Sequence, residues 1–325
     1  MKHCFASFVA IALLYTAIMA CQTTDISLPD FDVTTAKTTY KAGEPVSFTF
    51  AGSNPDQLVF YSGELGKRYA NRDRVSGTGV TKLVFQVAMQ QGALPGLDSL
   101  RLLASTNLKT YDAAGVTGAT WADITSRNAR FPKTLGTAFS ISDSVNVSDF
   151  NTADSVAFAF RVVNKKNEAL AQRKWQVQNV ILTNVMADGT PTPLLSTFAN
   201  TGWTQVSVKN PANAWDVGTA RVSAATSLSN TSGVLIRSAY PISFDPTTAV
   251  NVDDNDDWLI TTKVNLKTVK PDVGAVVKNA GGNALPVYNY VFRTAGAYTV
   301  TFIAQNVSLT DRKDTMKQVQ ITVTP

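Results

Sequence analysis

At both ends of this 325-residue chain, apolar residues alternate with polar ones, while long runs at helical spacing are scarce. In residues 44–50 (EPVSFTF), Val46, Phe48 and Phe50 alternate with Pro45, Ser47 and Thr49, the period of a half-buried strand. A short apolar strand follows at 58–61. Near the other end, residues 287–292, 297–304 and 317–323 carry the same signature. Turn clusters bound these runs, at 40–43, 52–56 and 294–296. Neither end holds enough strand to bury a core alone. The two ends are therefore expected to form one sandwich from residues 30–76 and 286–325. Together they make roughly 90 residues, near the ~100 of an immunoglobulin-like sandwich.

The stretch between them, 77–285, reads as an insertion with its own core. Strands are expected at 80–87, 145–150, 155–163, 174–182, 203–208, 234–236 and 257–262. Many short strands separated by turn-rich spacers fit a jelly roll. The predicted fold class is all-β: a discontinuous immunoglobulin-like sandwich plus an inserted jelly-roll sandwich.

The C-terminal pattern Tyr-x-Phe, then Ala-Gly-x-Tyr-Thr-Val-Thr, then Val-x-Ile-Thr-Val resembles the last strands of polycystic-kidney-disease-type domains. The Gly-Asp-Gly turn usual in those domains is replaced here by Ser62-Gly63-Glu64-Leu65-Gly66. Residues 1–20 read as a signal peptide, with Lys2 and His3 ahead of an apolar run too short to span a membrane comfortably. That run ends in Ile18-Met19-Ala20-Cys21, which resembles a bacterial lipobox and implies cleavage before Cys21 and lipidation of it. Residues 21–29 would then be a lipid-anchored tether.

Four further segments are similar to the jelly-roll modules of Bacteroidetes surface lipoproteins. They are Trp-x-Asp-Ile-Thr at 121–125, Ala-Phe-Ala-Phe-Arg at 157–161, Trp-x-Val-x-Asn-Val at 175–180 and Asp-Trp-Leu-Ile-Thr at 257–261. The resemblance extends over most of 30–325, to a lipoprotein family with no assigned reaction. It implies attachment to the bacterial outer membrane facing the cell surface, and some relatives accompany polysaccharide-utilisation machinery. Glycan binding, with an outer-membrane transport protein as a partner, enters from that analogy.

The available chemistry is narrow. The single histidine, His3, lies in the expected leader, and the two cysteines are Cys4 and Cys21. No disulfide framework, Ser-His-Asp or Cys-His nucleophile, or His/Cys zinc site can be built from this inventory. Phosphate-loop and dinucleotide fingerprints are missing as well. The formal charge of +5 is scattered and includes Lys2 of the leader, which argues against nucleic acid. No cofactor is required and no catalytic residue is expected. A carboxylate glycosidase using Glu64, Asp123, Glu168 or Asp257 is the third reading.

Two groups of residues carry the site expectations. Trp203 and Trp215 lie in a Gly-, Asn- and Pro-rich stretch and are expected as sugar-stacking platforms, with Tyr111 and Tyr240 as further aromatics. Trp175 and Trp258 sit in alternating strands and are expected in the core. The acidic run 251–257 offers Asp253, Asp254 and Asp256 as oxygen ligands for Ca²⁺, without the spacing of an EF-hand. The leading expectation is a non-catalytic glycan-binding module; the alternative is an adhesion or structural protein that binds another envelope or host protein.

Overall fold

The computed structural model describes residues 26–92, 99–166, 170–196, 201–217, 226–229, 236–238, 241–246 and 253–325. The described chain is all-β with one short α-helix, and none of its helices is long and apolar enough to cross a membrane. It divides into two compact units: residues up to Asp73 together with Pro271–Pro325, and Arg74–Lys270.

The first unit opens with β1 (Phe31–Thr35), β2 (Thr39–Lys41), β3 (Pro45–Gly52) and β4 (Gln57–Tyr61). Val46 and Phe48 of β3 are buried while Pro45, Ser47 and Thr49 are exposed, as the period of two requires. Gly52 closes β3 at φ +98°, where a Cβ would lie 2.2 Å from the Asp30 carbonyl oxygen, so the close approach of β1 excludes a side chain.

The second unit contributes β5 (Val80–Met89), β6 (Leu100–Ser105), α1 (Ala113–Gly118), β7 (Ala122–Asp123), β8 (Ser140–Ile141) and β9 (Val145–Asn146). It continues with β10 (Ala157–Asn164), β11 (Trp175–Val185), β12 (Pro191–Leu195) and β13 (Thr204–Lys209). Then come β14 (Thr226–Ser229), β15 (Ile236–Ser238), β16 (Ile242–Phe244) and β17 (Asn255–Ile260). β14 and β15 pair with each other; of the two larger sheets, one runs β12-β11-β5-β8, with β16 on β11 and β9 on β5, and the other runs β13-β17-β10-β6-β7. Their facing sides share one apolar core, in which Phe85 of β5 meets Phe160 of β10 edge-on at 5.0 Å.

The β13-β17-β10-β6-β7 sheet is buried on its other side too, which explains why β10 and β17 are almost wholly buried. In β10, Phe158 and Phe160 point into the core between the sheets. Ala157 and Ala159 belong to a second cluster with Leu103, Leu108, Val116 and Trp258. Small residues on that outward face leave room for the segment that carries α1.

The chain then returns to the first unit as β18 (Ala275–Lys278), β19 (Val287–Val291), β20 (Gly296–Val307) and β21 (Arg312–Thr324). Its sheets are β1-β3-β19 and β18-β4-β20-β21-β2, with β2 parallel to β21. Phe48 meets Phe302 at 5.1 Å between them. The return comes earlier than Pro286, because β18 already pairs with Leu58–Phe60. The polar stretch 306–314, between the strands expected at 297–304 and 317–323, is mostly ladder: Asn306 pairs with Lys313 and Val307 with Arg312. Backbone pairing continues past the apolar pattern, since the end of a two-stranded ribbon needs no buried face.

Candidate functional site

The outward face of the β13-β17-β10-β6-β7 sheet builds the site. Strand alternation places Arg101 and Leu103 of β6, Ala159 and Arg161 of β10, and Asp256 and Trp258 of β17 on this face. Register aligns Arg161 with Arg101 on one side and with Trp258 on the other. Like charges directly opposed across a ladder are destabilising. Each arginine here has its own carboxylate. Arg101 Nη1 donates to Asp123 Oδ2 at 2.7 Å. Arg161 Nε and Nη2 donate to the two oxygens of Asp256, both at 2.8 Å. A bidentate pair of this kind fixes the guanidinium plane as well as its charge.

Aromatic rings complete the face. The Arg161 guanidinium carbon lies 4.5 Å from the centre of the Trp258 ring, a cation–π contact. Trp121 packs on Trp258 with ring centres 4.9 Å apart. Trp258 is buried, and its indole N–H has no hydrogen-bond partner. Trp121 is half-buried, with its N–H donated to the Val116 carbonyl of α1 at 2.9 Å. These residues line a cavity of about 500 Å³.

α1 is short and glycine-rich, and its propensity alone would not form it. Asp112 caps it, accepting from the Gly115 amide at 2.6 Å, and Val116 is buried beneath it. Gly115 is required, because a Cβ there would lie 2.1 Å from the Thr110 carbonyl oxygen. Cap, close approach and buried Val116 together hold the carbonyl that orients Trp121.

Asp123 reaches the cavity from β7. Burial alone would raise its pKa, but the Thr125 hydroxyl and amide and the Arg101 guanidinium together hold it below the ordinary carboxylate value. Asp123 is therefore set up to accept hydrogen bonds.

The structure distributes the expected aromatics differently. Trp215 is fully buried, its N–H donated to the Asp257 carbonyl at 3.3 Å and its ring 5.8 Å from Phe244. It cannot be a platform. Turn-type neighbours set the path of the backbone, not the exposure of the indole, and the Asp216–Ser243 bridge pins this segment to the sandwich. Trp203 is half-buried against the core between the sheets, 6.3 Å from Phe160, on the opposite side of the sheet from the cavity. Tyr111 does pack in the outward cluster, and its hydroxyl donates to the Thr261 carbonyl at 3.3 Å. Tyr240 and Cys21 lie outside the described residues. Trp175 is buried in the core as expected.

The acidic run is dispersed. Asp254 accepts from the Lys166 amide at 2.8 Å and pairs with Lys165 at 3.1 Å and Lys209 at 3.5 Å. The Lys166 amide first, then Lys165, lower its pKa to about 2. Asp256 belongs to Arg161. Asp253 gives its backbone carbonyl to Gln172 at 3.2 Å. Asp257 lies on the inward face of β17. Asp254 and Asp256 are matched by cations, while the Asp256 charge still adds to the raised pKa of Asp257. Among the described residues, no group of three or more His, Cys, Asp or Glu side chains could hold a metal ion.

Of the carboxylates considered for glycoside hydrolysis, Glu64 accepts from the Ser62 and Tyr290 hydroxyls in the first unit. Glu168 lies outside the described residues. The residues that sequence reasoning missed are Trp121, Arg101 and Arg161. A signal existed: Trp121 and Asp123 are two apart, as are Asp256 and Trp258, and Arg161 interrupts an otherwise apolar strand.

Residues 20–203 match a family described as Domain of unknown function (DUF5017). That is more than half of the chain, and the chain belongs to this family. The matched span carries Arg101, Trp121, Asp123 and Arg161 of the site. No curated protein matches the chain.

Proposed function

We propose that this protein is a non-catalytic cell-envelope lipoprotein that binds a glycan on the outward face of its inserted sandwich. The observation that carries this reading is the half-buried Trp121 ring beside two prearranged arginine–carboxylate pairs, around a cavity of about 500 Å³. A sugar ring presents an apolar C–H face and a rim of hydroxyls. The indole suits the first; fixed guanidinium and carboxylate groups suit the second. Both guanidinium groups are held by carboxylates of the chain itself, so little ordering cost falls on binding. The lipid anchor at Cys21 and the surface location rest on the Ile18–Cys21 motif.

Non-catalytic binding fits the carboxylates of the cavity. Asp123 is held below its ordinary pKa, and both oxygens of Asp256 are engaged by Arg161. Neither is arranged as a proton donor, which glycoside hydrolysis requires. Adhesion to another protein is the second reading. It draws on β19, which ends the β1-β3-β19 sheet and exposes Val287 and Val291.

Intrinsic fluorescence of the full-length protein, titrated with host and plant polysaccharides, tests the leading reading. Saturable quenching that is lost in Trp121→Ala and kept in Trp203→Ala is expected, with both variants folded by circular dichroism. A response indifferent to Trp121, or none across the panel, moves the weight to adhesion.

A further inference from the structure

A second cavity, of about 600 Å³, adjoins the first and shares Arg101 and Asp123 with it as lining residues. Each is within the size of small-ligand pockets, so together they exceed the needs of one sugar ring. Their chemistry differs. The first cavity is charge-balanced, with Arg101 and Arg161 against Asp123 and Asp256. The second adds Lys133, which is exposed and has no ion pair among the described residues, and no further carboxylate.

Its other polar groups lean the same way. Asn128 is buried, and its Oδ1 accepts from the Arg130 amide at 3.3 Å and the Asp143 amide at 2.9 Å. Those two donors fix the orientation of the amide and leave Nδ2 as a donor, which has no partner. Half-buried Phe131 supplies an apolar wall, 5.7 Å from Phe85. Buried donors without acceptors are uncommon in folded proteins. The Trp258 N–H, in a residue lining the first cavity, and Asn128 Nδ2, in a residue lining the second, are both of this kind.

Building on the glycan reading above, we infer that the two cavities are adjacent subsites for one oligosaccharide, and that the Asn128–Lys133 lobe takes a sugar unit bearing an anionic group, carboxylate or sulfate. Arg101 and Asp123 form the shared wall between the two units. Lys133 neutralises the anion while the Arg101 guanidinium supplies donors.

The test is calorimetric titration of the full-length protein with length-matched neutral, uronate-containing and sulfated oligosaccharides. The acidic members should bind about five-fold tighter than the neutral one, as one charge-assisted contact at an exposed lysine allows. Lys133→Ala should abolish that preference, so that acidic and neutral members bind alike, while Trp121→Ala should weaken every member. If all three sugars bind alike through Trp121, or the acidic preference survives Lys133→Ala, the anionic subsite is overturned and the Trp121 reading stands. If acidic binding needs Lys133 but ignores Trp121, the shared groove is overturned. If nothing binds, both proposals fall.

Discussion

Arg161 stands directly across the ladder from Trp258, and its guanidinium rests on the indole while Nε and Nη2 hold Asp256. One side chain thus joins β10 to two positions of β17. The Arg161 side chain is about one-third exposed, so part of the Coulomb energy is screened. Arg161→Ala strands the carboxylate of Asp256 and should cost on the order of 1–2 kcal/mol. Arg161→Lys keeps the charge but loses the planar fork, and should recover only part of that. Urea melts of both variants, with Asp256→Asn closing the double-mutant cycle, give the coupling. Full additivity would mean the pair is ornamental.

Asp112 should matter beyond the helix it caps. Loss of its bond to the Gly115 amide should cost about 1 kcal/mol in Asp112→Ala. The capped turn carries Val116, whose carbonyl holds Trp121. The same variant should therefore weaken ligand binding more than its modest stability loss explains. A binding isotherm identical to wild type would show that Trp121 is oriented by its contact with Trp258 alone.

Much of the architecture was legible because period-two alternation reports burial on one face. The strands at 44–50 and 297–304 show it, and so does the pairing of the chain's two ends. The site was harder to read. Its sheet is buried on both faces, so the alternation in β10 is between large and small residues, Phe against Ala, and a polar rim does not mark the outward side. α1 spans too few residues for a 3.6 period, and the capping aspartate is its main local signal. Trp215 misled because a loop-type sequence says where the backbone turns, whereas exposure depends on what the turn packs against. The carboxylates of 253–257 look like one cluster in sequence, but Asp253 and Asp254 precede β17, and Asp256 and Asp257 leave it on opposite faces.

Trp215 gives a direct check of that distinction. Trp215→Ala empties a fully buried site and should cost about 3–5 kcal/mol, against a much smaller loss for half-buried Trp121→Ala. Chemical denaturation separates the two. If Trp215→Ala were as mild as Trp121→Ala, its burial beside Phe244 would be wrong.

Asp257 should make stability fall with rising pH. It is fully buried on the inward face of β17, beside Leu259 and opposite Ser207, whose hydroxyl donates to the Lys209 carbonyl. Neither carboxylate oxygen has a partner. Burial pushes its pKa up to about 7, and the neighbouring Asp256 charge adds to the rise. In the unfolded chain the group titrates near 3.9. Below that value both states are protonated and Asp257 is neutral to stability. Between roughly pH 4 and 7 the unfolded state releases its proton while the folded state keeps it, so stability is lost as pH rises. Above about 7 the folded protein must bury a charge. Asp257→Asn removes that liability. Its advantage over wild type should be near zero at pH 4 and grow to on the order of 2–4 kcal/mol at pH 8. Paired urea melts at pH 4, 6 and 8 measure it. A difference that stays constant with pH would mean that Asp257 is ionised throughout and has a partner within the sandwich.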